Sequence, residues 1–150
     1  MKNLKLKYFL PVVITIVFVI FFSQLLKKDV TKLSSQLIEK PVPTFNMPTL
    51  LNDNQSFSTI DVIASDIALV NIWSSWCIPC RSEHEILMLL SKIEGIDLYG
   101  INYKDKEDNA LDFINELGNP FKKIGVDNNG RSSMVWGVYG IPETFIIHKG

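Results

Sequence analysis

The chain of 150 residues has few of the side chains that hold metals or build disulfide networks. It contains two cysteines and two histidines. Two cysteines exclude a framework of several disulfides, and a structural zinc site usually needs four ligands. Neither sign of charge is in excess, since 15 basic residues face 16 acidic ones. A domain that binds nucleic acid is normally basic, so no nucleic-acid partner is expected. The length accommodates one domain of ordinary size.

Apolar residues are concentrated in one segment near the amino terminus. Residues 8–26 contain 15 apolar positions in 19, and residues 1–7 carry three lysines and no acidic residue. A helix of that length rises about 28 Å, close to the ~30 Å hydrocarbon core of a bilayer. The pattern predicts a basic N-terminus at 1–7 and a transmembrane anchor at 8–26. Because lysines flank the anchor on both sides, the chemistry expected of the two cysteines, rather than the charges, puts residues 1–7 in the cytoplasm. A cleaved signal peptide is one alternative, although no A-x-A-like site precedes Lys27, and a buried helix of a globular domain is the other.

The remaining residues are predicted to form a polar linker at 27–40 and one α/β domain at 41–150. A continuous apolar run at 67–73 predicts a central strand that is covered on both faces. A helix over 80–94 follows, with an apolar stripe formed by Ile86, Leu89, Leu90 and Ile93. A second strand at 96–102 and a second helix that stops at Gly118 repeat the pattern, which predicts a parallel pair with a right-handed crossover. The later predicted elements are a strand at 124–127, a turn at 128–130, a brief helix at 132–136 and a last strand at 144–148.

The two cysteines lie at the junction of the first predicted strand and helix of this domain, in WCIPC at 76–80. A disulfide that closes so short a loop contributes on the order of 2 kcal/mol in chain-entropy terms, less than a long-range bridge. The free amide N–H groups and the dipole at a helix N-terminus favour an anion, here the thiolate of Cys77. The spacing therefore predicts a redox-active pair in which exposed Cys77 attacks and less exposed Cys80 resolves, with Pro79 in the first helical turn. No cofactor beyond this pair is expected.

The same cysteine pair has two other interpretations. It could be a static disulfide, or half of a zinc site that uses His84 as a further ligand. The only other histidine, His148, falls in a predicted strand. Of the three tryptophans, only Trp76, directly before Cys77, has a position that favours contact with a substrate. Pro79, between the two cysteines, is expected to contact the substrate as well.

Several segments in order carry a specific resemblance. WCIPC at 76–80 is followed by RSEH at 81–84, GINYKD at 100–105, LGNPF at 117–121 and GVYGIPETF at 137–145. Together they resemble the membrane-anchored thioredoxin-like proteins of bacterial cytochrome c maturation, the DsbE/CcmG family. A CxxC motif alone indicates only a thioredoxin-like fold. The GINYKD and GVYGIPETF segments make the resemblance specific to this family. The expected fold class is therefore α/β, a thioredoxin-like fold behind an N-terminal transmembrane helix.

The resemblance also implies further site residues. Pro142 would be the cis-proline that faces the disulfide, with a trans proline that opens the last strand as the alternative. The Ile141 backbone beside it would pair with an extended substrate segment. Glu83 and Glu143 match acidic residues that the family has near its cysteines, although both could also be ordinary surface carboxylates. Glu83, one turn after Cys80, would accept the proton of Cys80 during exchange.

By resemblance, the chain is a protein-disulfide reductase of apocytochrome c, whose haem-attachment cysteines must be thiols before haem is joined. A membrane reductant of the DsbD or CcdA type would recharge the pair, within the cytochrome c maturation machinery. Because disulfides persist outside the cytoplasm, the domain is expected to face the periplasm from a single-pass anchor in the bacterial inner membrane. Two alternatives stay open: a broader extracytoplasmic reductase of the same fold, and a non-enzymatic copper metallochaperone, since thiolates suit Cu(I).

The sequence ends at Gly150, directly after the last predicted strand. Thioredoxin-like domains normally continue through an edge strand and a helix that covers one face of the sheet. The domain at 41–150 is therefore expected to be C-terminally incomplete. If these 150 residues are the whole protein, one face and one edge of its sheet stay open, and poor solubility or an inactive remnant is expected.

Overall fold

The computed structural model describes residues 3–26, 37–52 and 54–149. The chain divides into two units, Met1–Ser35 and Gln36–Gly150. The first unit contains helix α1, Asn3–Leu26, in the segment predicted as the anchor. Among the described residues, no helix combines the length and the apolar character needed to cross a bilayer. Most of the predicted linker, residues 27–36, lies outside the described residues.

The second unit is built on one four-stranded sheet and a small hairpin. Its elements in chain order are β1 (Asn46–Pro48), β2 (Ser56–Ser58), α2 (Thr59–Ile63), β3 (Ile67–Trp73), α3 (Ile78–Leu90), β4 (Ile96–Tyr103), α4 (Glu107–Leu117), β5 (Lys123–Asp127), α5 (Arg131–Val135) and β6 (Glu143–His148). The strand order in the large sheet is β5-β4-β3-β6. The predicted parallel pair of β3 and β4 is confirmed, β5 runs parallel to β4, and β6 runs antiparallel to β3.

Strand β3 is central and is buried on both faces, as its apolar run predicts. Val70 and Ile72 join one core cluster, which also holds Phe57 of the hairpin. Leu69 and Trp73 join the other cluster, with buried side chains of α3 and α4. The hairpin and α2 therefore cover one face of the sheet, and α3 and α4 cover the other.

The prediction for α3 is correct in type and partly wrong in bounds and orientation. The helix begins at Ile78 because Cys77 is its N-cap and a proline fits the first turn. It ends at Leu90 rather than 94, since the chain turns before β4. The predicted stripe of apolar residues is exposed at Ile86 and Leu89. The buried side of the helix instead carries Cys80, His84 and Leu87, which are spaced i, i+4 and i+7. Once Cys80 faces the sheet, that spacing turns Ile86 and Leu89 outward.

The other predicted elements lie close to the observed ones, and residues 41–66 hold elements that were not predicted. Helix α4 ends at Leu117, and Gly118, the stop that the sequence predicts, caps it with a φ of 90°. The hairpin of β1 and β2 has strands of three residues each, too short to show an alternating pattern. The Asp61 carboxylate accepts a hydrogen bond from the Ser58 backbone N–H (2.9 Å) and so caps α2.

Strand β6 forms one edge of the sheet. Its register with β3 places Ile146 opposite Leu69, on the face that carries α3 and α4. Ile146 is nevertheless 77% exposed, and Ile86 and Leu89 of α3 are exposed as well. Within residues 37–52 and 54–149, no further strand pairs with β6 on this edge.

Candidate active site

The two cysteines form a disulfide at the N-terminus of α3. The S–S distance is 2.05 Å and the Cα–Cα distance is 5.3 Å. Cys77 caps the helix, and its sulfur accepts a hydrogen bond from the Cys80 backbone N–H (3.2 Å). The Cys77 N–H donates to the Ser74 carbonyl (3.2 Å), which closes the turn between β3 and α3. In the reduced protein, the N–H groups in the first turn of α3, including that of Cys80, would stabilise a thiolate at Cys77.

The expectation that Cys77 is exposed is wrong for the disulfide form. Cys77 is 4% exposed and Cys80 is 2% exposed. Both belong to the core cluster on the α3 side of the sheet, with Trp73 and Leu87. The helix N-terminus is packed onto this cluster, so both sulfurs are drawn inward. The residue before the pair, Trp76, is 57% exposed.

The peptide bond between Ile141 and Pro142 is cis. The trans alternative is therefore wrong. Ile141 is half-buried and packs against the cluster that contains both cysteines. The bond directly precedes β6, whose first residue, Glu143, lies opposite Ile72 near the end of β3. The loop before β6 and the turn that carries Cys77 thus meet at the same end of the sheet.

The two glutamates named by the resemblance are both half-buried and hydrogen-bonded. Glu83 lies on α3 one turn after Cys80, and its Oε1 accepts a hydrogen bond from Asn71 Nδ2 (2.7 Å). Because Asn71 is buried in β3, the Glu83 carboxylate is directed at the sheet rather than at solvent. Glu143 Oε2 accepts a hydrogen bond from the Tyr139 backbone N–H (3.3 Å), within the loop of the cis peptide bond.

Asp105, for which the sequence predicts no role, holds the turn before the cysteines through hydrogen bonds. The Asp105 carboxylate accepts hydrogen bonds from the Ser75 backbone N–H (2.6 Å), the Ser75 hydroxyl (2.7 Å) and Asn102 Nδ2 (3.0 Å). Trp76 Nε1 donates to the Lys104 carbonyl (3.1 Å) on the same loop. The only signal for this role of Asp105 in the sequence is the GINYKD segment at 100–105, which is part of the resemblance to the DsbE/CcmG family.

These contacts lower the pKa of Asp105 from its ordinary value of 3.8. Burial, the largest single influence, raises the pKa, but the hydrogen bonds that the carboxylate accepts, led by those from the Ser75 backbone N–H and Asn102, together outweigh it. Asp105 is therefore an ionised acceptor that fixes the loop after β4 to the turn after β3.

The structure assigns His84 to the core. Its ring is buried, with Nε2 at 2.9 Å from the Gly118 carbonyl oxygen. The ring also packs edge-on against Phe113, with centroids 5.0 Å apart. Among the described residues, no group of three or more His, Cys, Asp and Glu side chains is arranged to hold a metal ion. These contacts account for the position of His84 on the buried side of α3.

Comparison with known proteins agrees with this geometry. The sequence profile of the Redoxin family matches residues 38–150. The thiol:disulfide interchange protein CycY of Rhizobium leguminosarum bv. viciae is 51% identical over 85 residues, which are 57% of this chain and 46% of that protein. The thiol:disulfide interchange protein DsbE of Allochromatium vinosum is 39% identical over 122 residues, which are 81% of this chain and 67% of that protein. DsbE of Escherichia coli (strain K12) is 42% identical over 119 residues, which are 79% of this chain and 64% of that protein.

Solved structures share the fold. A secreted Mycobacterium tuberculosis disulfide oxidoreductase, described as homologous to E. coli DsbE, superimposes with a TM-score of 0.64 at 18% identity, over 71% of this chain and 77% of that one. A DsbF homologue from Corynebacterium diphtheriae superimposes with a TM-score of 0.61 at 27% identity, over 73% and 71%. The chain thus has a thioredoxin-like α/β fold and belongs to the Redoxin family and, within it, to the DsbE family of thiol:disulfide interchange proteins.

Proposed function

We propose that the chain is a thiol:disulfide oxidoreductase that reduces a disulfide in apocytochrome c before haem attachment. The observation that carries the proposal is the Cys77–Cys80 disulfide at the N-terminus of α3, with the cis Ile141–Pro142 bond at the same end of the sheet. A disulfide of this kind adds little as a cross-link, whereas the helix N-terminus suits a reactive thiolate.

The reaction begins with the reduced pair. The thiolate of Cys77 attacks one sulfur of the substrate disulfide, and the other substrate sulfur leaves as a thiolate. Cys77 and the substrate are then joined in a mixed disulfide. The Cys80 N–H that points at the Cys77 sulfur in the oxidised form stabilises negative charge on that sulfur before attack.

Cys80 completes the exchange. Its thiol gives its proton to the Glu83 carboxylate, and the resulting thiolate attacks the Cys77 sulfur. The Cys77–substrate bond breaks, the Cys77–Cys80 bond forms, and the second substrate sulfur leaves as a thiolate. Two electrons pass to the substrate, and Cys77 and Cys80 end oxidised. Because Cys80 is buried, a carboxylate one turn away on α3 is a better placed proton acceptor than bulk water.

The substrate is proposed to bind beside the disulfide. Trp76 and Pro79 are exposed on either side of Cys77, and the Ile141 backbone at the cis bond can pair with an extended peptide segment. Glu143, the first residue of β6, adds a carboxylate that accepts a hydrogen bond from the Tyr139 N–H of this loop.

The biological setting follows from the resemblance and the anchor prediction. We propose a single-pass protein of the bacterial inner membrane with its N-terminus in the cytoplasm and its domain in the periplasm. A membrane reductant of the DsbD or CcdA type returns electrons to the oxidised pair. Fusing alkaline phosphatase after the domain tests this topology, because the phosphatase is active only outside the cytoplasm. An inactive phosphatase, together with an active cytoplasmic reporter at the same position, would refute it.

The substrate is tested with oxidised peptides and the reduced full chain. One peptide carries the haem-attachment motif Cys-x-x-Cys-His as a disulfide, and its control has the same composition with the cysteines further apart. We expect the motif peptide to be reduced at least about tenfold faster, a difference of about 1.4 kcal/mol in barrier. Equal rates for both peptides would support the broader reductase instead, and no reduction of either would refute the redox function.

A further inference from the structure

Asn71 is a buried amide in the middle of an apolar strand. It is 0% exposed, and its β3 neighbours on the same face, Leu69 and Trp73, pack in the core cluster that contains both cysteines. A polar side chain in such a position is stabilised only by the hydrogen bonds it makes. Asn71 Nδ2 donates to Glu83 Oε1 (2.7 Å) and to Thr144 Oγ1 (3.0 Å).

The other end of this amide has no compensating contact. Asn71 Oδ1 is buried and has no hydrogen-bond partner among the described residues. Turning the amide over would place Oδ1 against the Glu83 carboxylate, where two acceptors repel each other, so the orientation is fixed by its donor end. A leucine at this position would fill the same space without a buried carbonyl group that lacks a partner. The feature that a leucine would lack is the N–H group aimed at Glu83.

We propose that Asn71 is a positioning residue that holds the Glu83 carboxylate toward the sheet, on the side of α3 that carries Cys80. The inference rests on the proposed role of Glu83 as the acceptor of the Cys80 proton. Glu83 is only half-buried, so without this bond its flexible side chain can swing out to water. Its effective concentration near Cys80 then falls, and the resolving step slows while the first attack by Cys77 does not.

The two steps can be separated with the aromatic disulfide reagent 5,5′-dithiobis(2-nitrobenzoate) and the reduced full chain. Attack by Cys77 releases one coloured thiolate in a phase whose rate depends on reagent concentration. Attack by Cys80 on the resulting mixed disulfide releases a second coloured thiolate in a phase that does not. The second phase reports proton transfer from Cys80 and its attack, independently of any protein substrate.

The expected result for Asn71→Leu is a roughly tenfold slower second phase and a first phase within about twofold of that of the unmodified chain. Glu83→Gln should slow the same phase by at least as much. Adding Asn71→Leu to Glu83→Gln should then have no further effect, because the amide has no carboxylate left to hold. Thr144→Val is the matched control: it removes the second bond of the same amide, leaves the bond to Glu83, and should leave both phases unchanged.

Three outcomes would overturn the proposal. These are a second phase that Asn71→Leu leaves unchanged, an equal slowing of both phases, and a slowing by Asn71→Leu that persists in full in the Glu83→Gln chain. Asn71→Ala is measured in parallel, so that a folding defect of one variant leaves the other to decide. Failure of the proposed function is distinguishable, because it appears as a missing second phase in the unmodified chain or as no reduction of the haem-motif peptide.

Discussion

Asp105 offers a quantitative test of how the loop that carries the cysteines is held. Its carboxylate accepts four hydrogen bonds, two from Ser75, one from Asn102 and one from the Lys106 backbone N–H. Replacing Asp105 by alanine removes both acceptor oxygens and leaves the buried Asn102 amide without this partner. Asp105→Ala therefore removes the hydrogen bonds that join the turn after β3 to the loop after β4, and it changes neither cysteine.

The expected loss is worked from these contacts. A hydrogen bond to a charged group contributes about 1.5–3 kcal/mol, and a neutral one about 1 kcal/mol. Because Asp105 is only half-buried, water replaces part of each bond, and we expect Asp105→Ala to lower the free energy of unfolding by about 3 kcal/mol at pH 7. Asp105→Asn keeps one neutral oxygen acceptor, so its expected loss is about 1.5 kcal/mol.

The loss should also depend on pH. The pKa of Asp105 is lower in the folded chain than its ordinary value of 3.8, through the hydrogen bonds that outweigh burial. A depressed pKa contributes stability that is fully present above the unfolded pKa and is lost as the pH falls through the folded one. The difference between the unmodified chain and Asp105→Ala should therefore be largest near pH 7 and shrink below about pH 4.

Urea unfolding of the oxidised full chain, followed at pH 7 and at pH 3, measures both quantities. Asp112→Ala, which removes an exposed carboxylate on α4, is the control and should change the free energy of unfolding by less than about 0.5 kcal/mol. An Asp105→Ala chain that unfolds at the same urea concentration as the control, or with a deficit that does not shrink in acid, would refute the reasoning.

Three further predictions concern the core and the far end of the sheet. Gly125→Ala should lower the free energy of unfolding by about 1–3 kcal/mol, because its Cβ would overlap the Met47 side chain, and adding Met47→Ala should recover part of that loss in the same urea assay. Ser65→Ala should cost about 1–2 kcal/mol at pH 7 and less in acid, since the pKa of Asp97 is lowered chiefly by the Ser65 hydroxyl and then by Lys122. His84→Phe should lower stability by about 1 kcal/mol while both phases of thiolate release keep their rates; a change in either rate would contradict a packing role.

Local patterns in the sequence predicted the sheet and the place of the cysteines. The apolar run at 67–73 indicates a strand buried on both faces, and the structure confirms it. Gly118 marks the end of α4, because the residue that follows a helix often has a positive φ, which glycine adopts without strain. The buried side of α3 could not be predicted from its apolar stripe, because the packing of Cys80 and His84 against the sheet decides which side is buried.

Contacts between distant residues account for most of what the sequence did not reveal about the site. Asn71 reaches Glu83 and Thr144, and the partners of Asp105 include Ser75, 30 positions earlier in the chain. No local pattern encodes such pairs, because they form only when the strands and helices pack. The cis state of the Ile141–Pro142 bond was implied by the resemblance alone, since a proline in a sequence does not reveal its isomer.

Covalent trapping shows directly whether Cys77 attacks the substrate and Cys80 resolves the mixed disulfide. The reduced full chain carrying Cys80→Ser is mixed with the oxidised haem-motif peptide and analysed by mass spectrometry without reductant, beside the chain carrying Cys77→Ser. The account predicts a stable adduct of one peptide per chain, joined through Cys77, in the Cys80→Ser chain and none in the Cys77→Ser chain. An adduct of similar yield joined through Cys80 in the Cys77→Ser chain would contradict it.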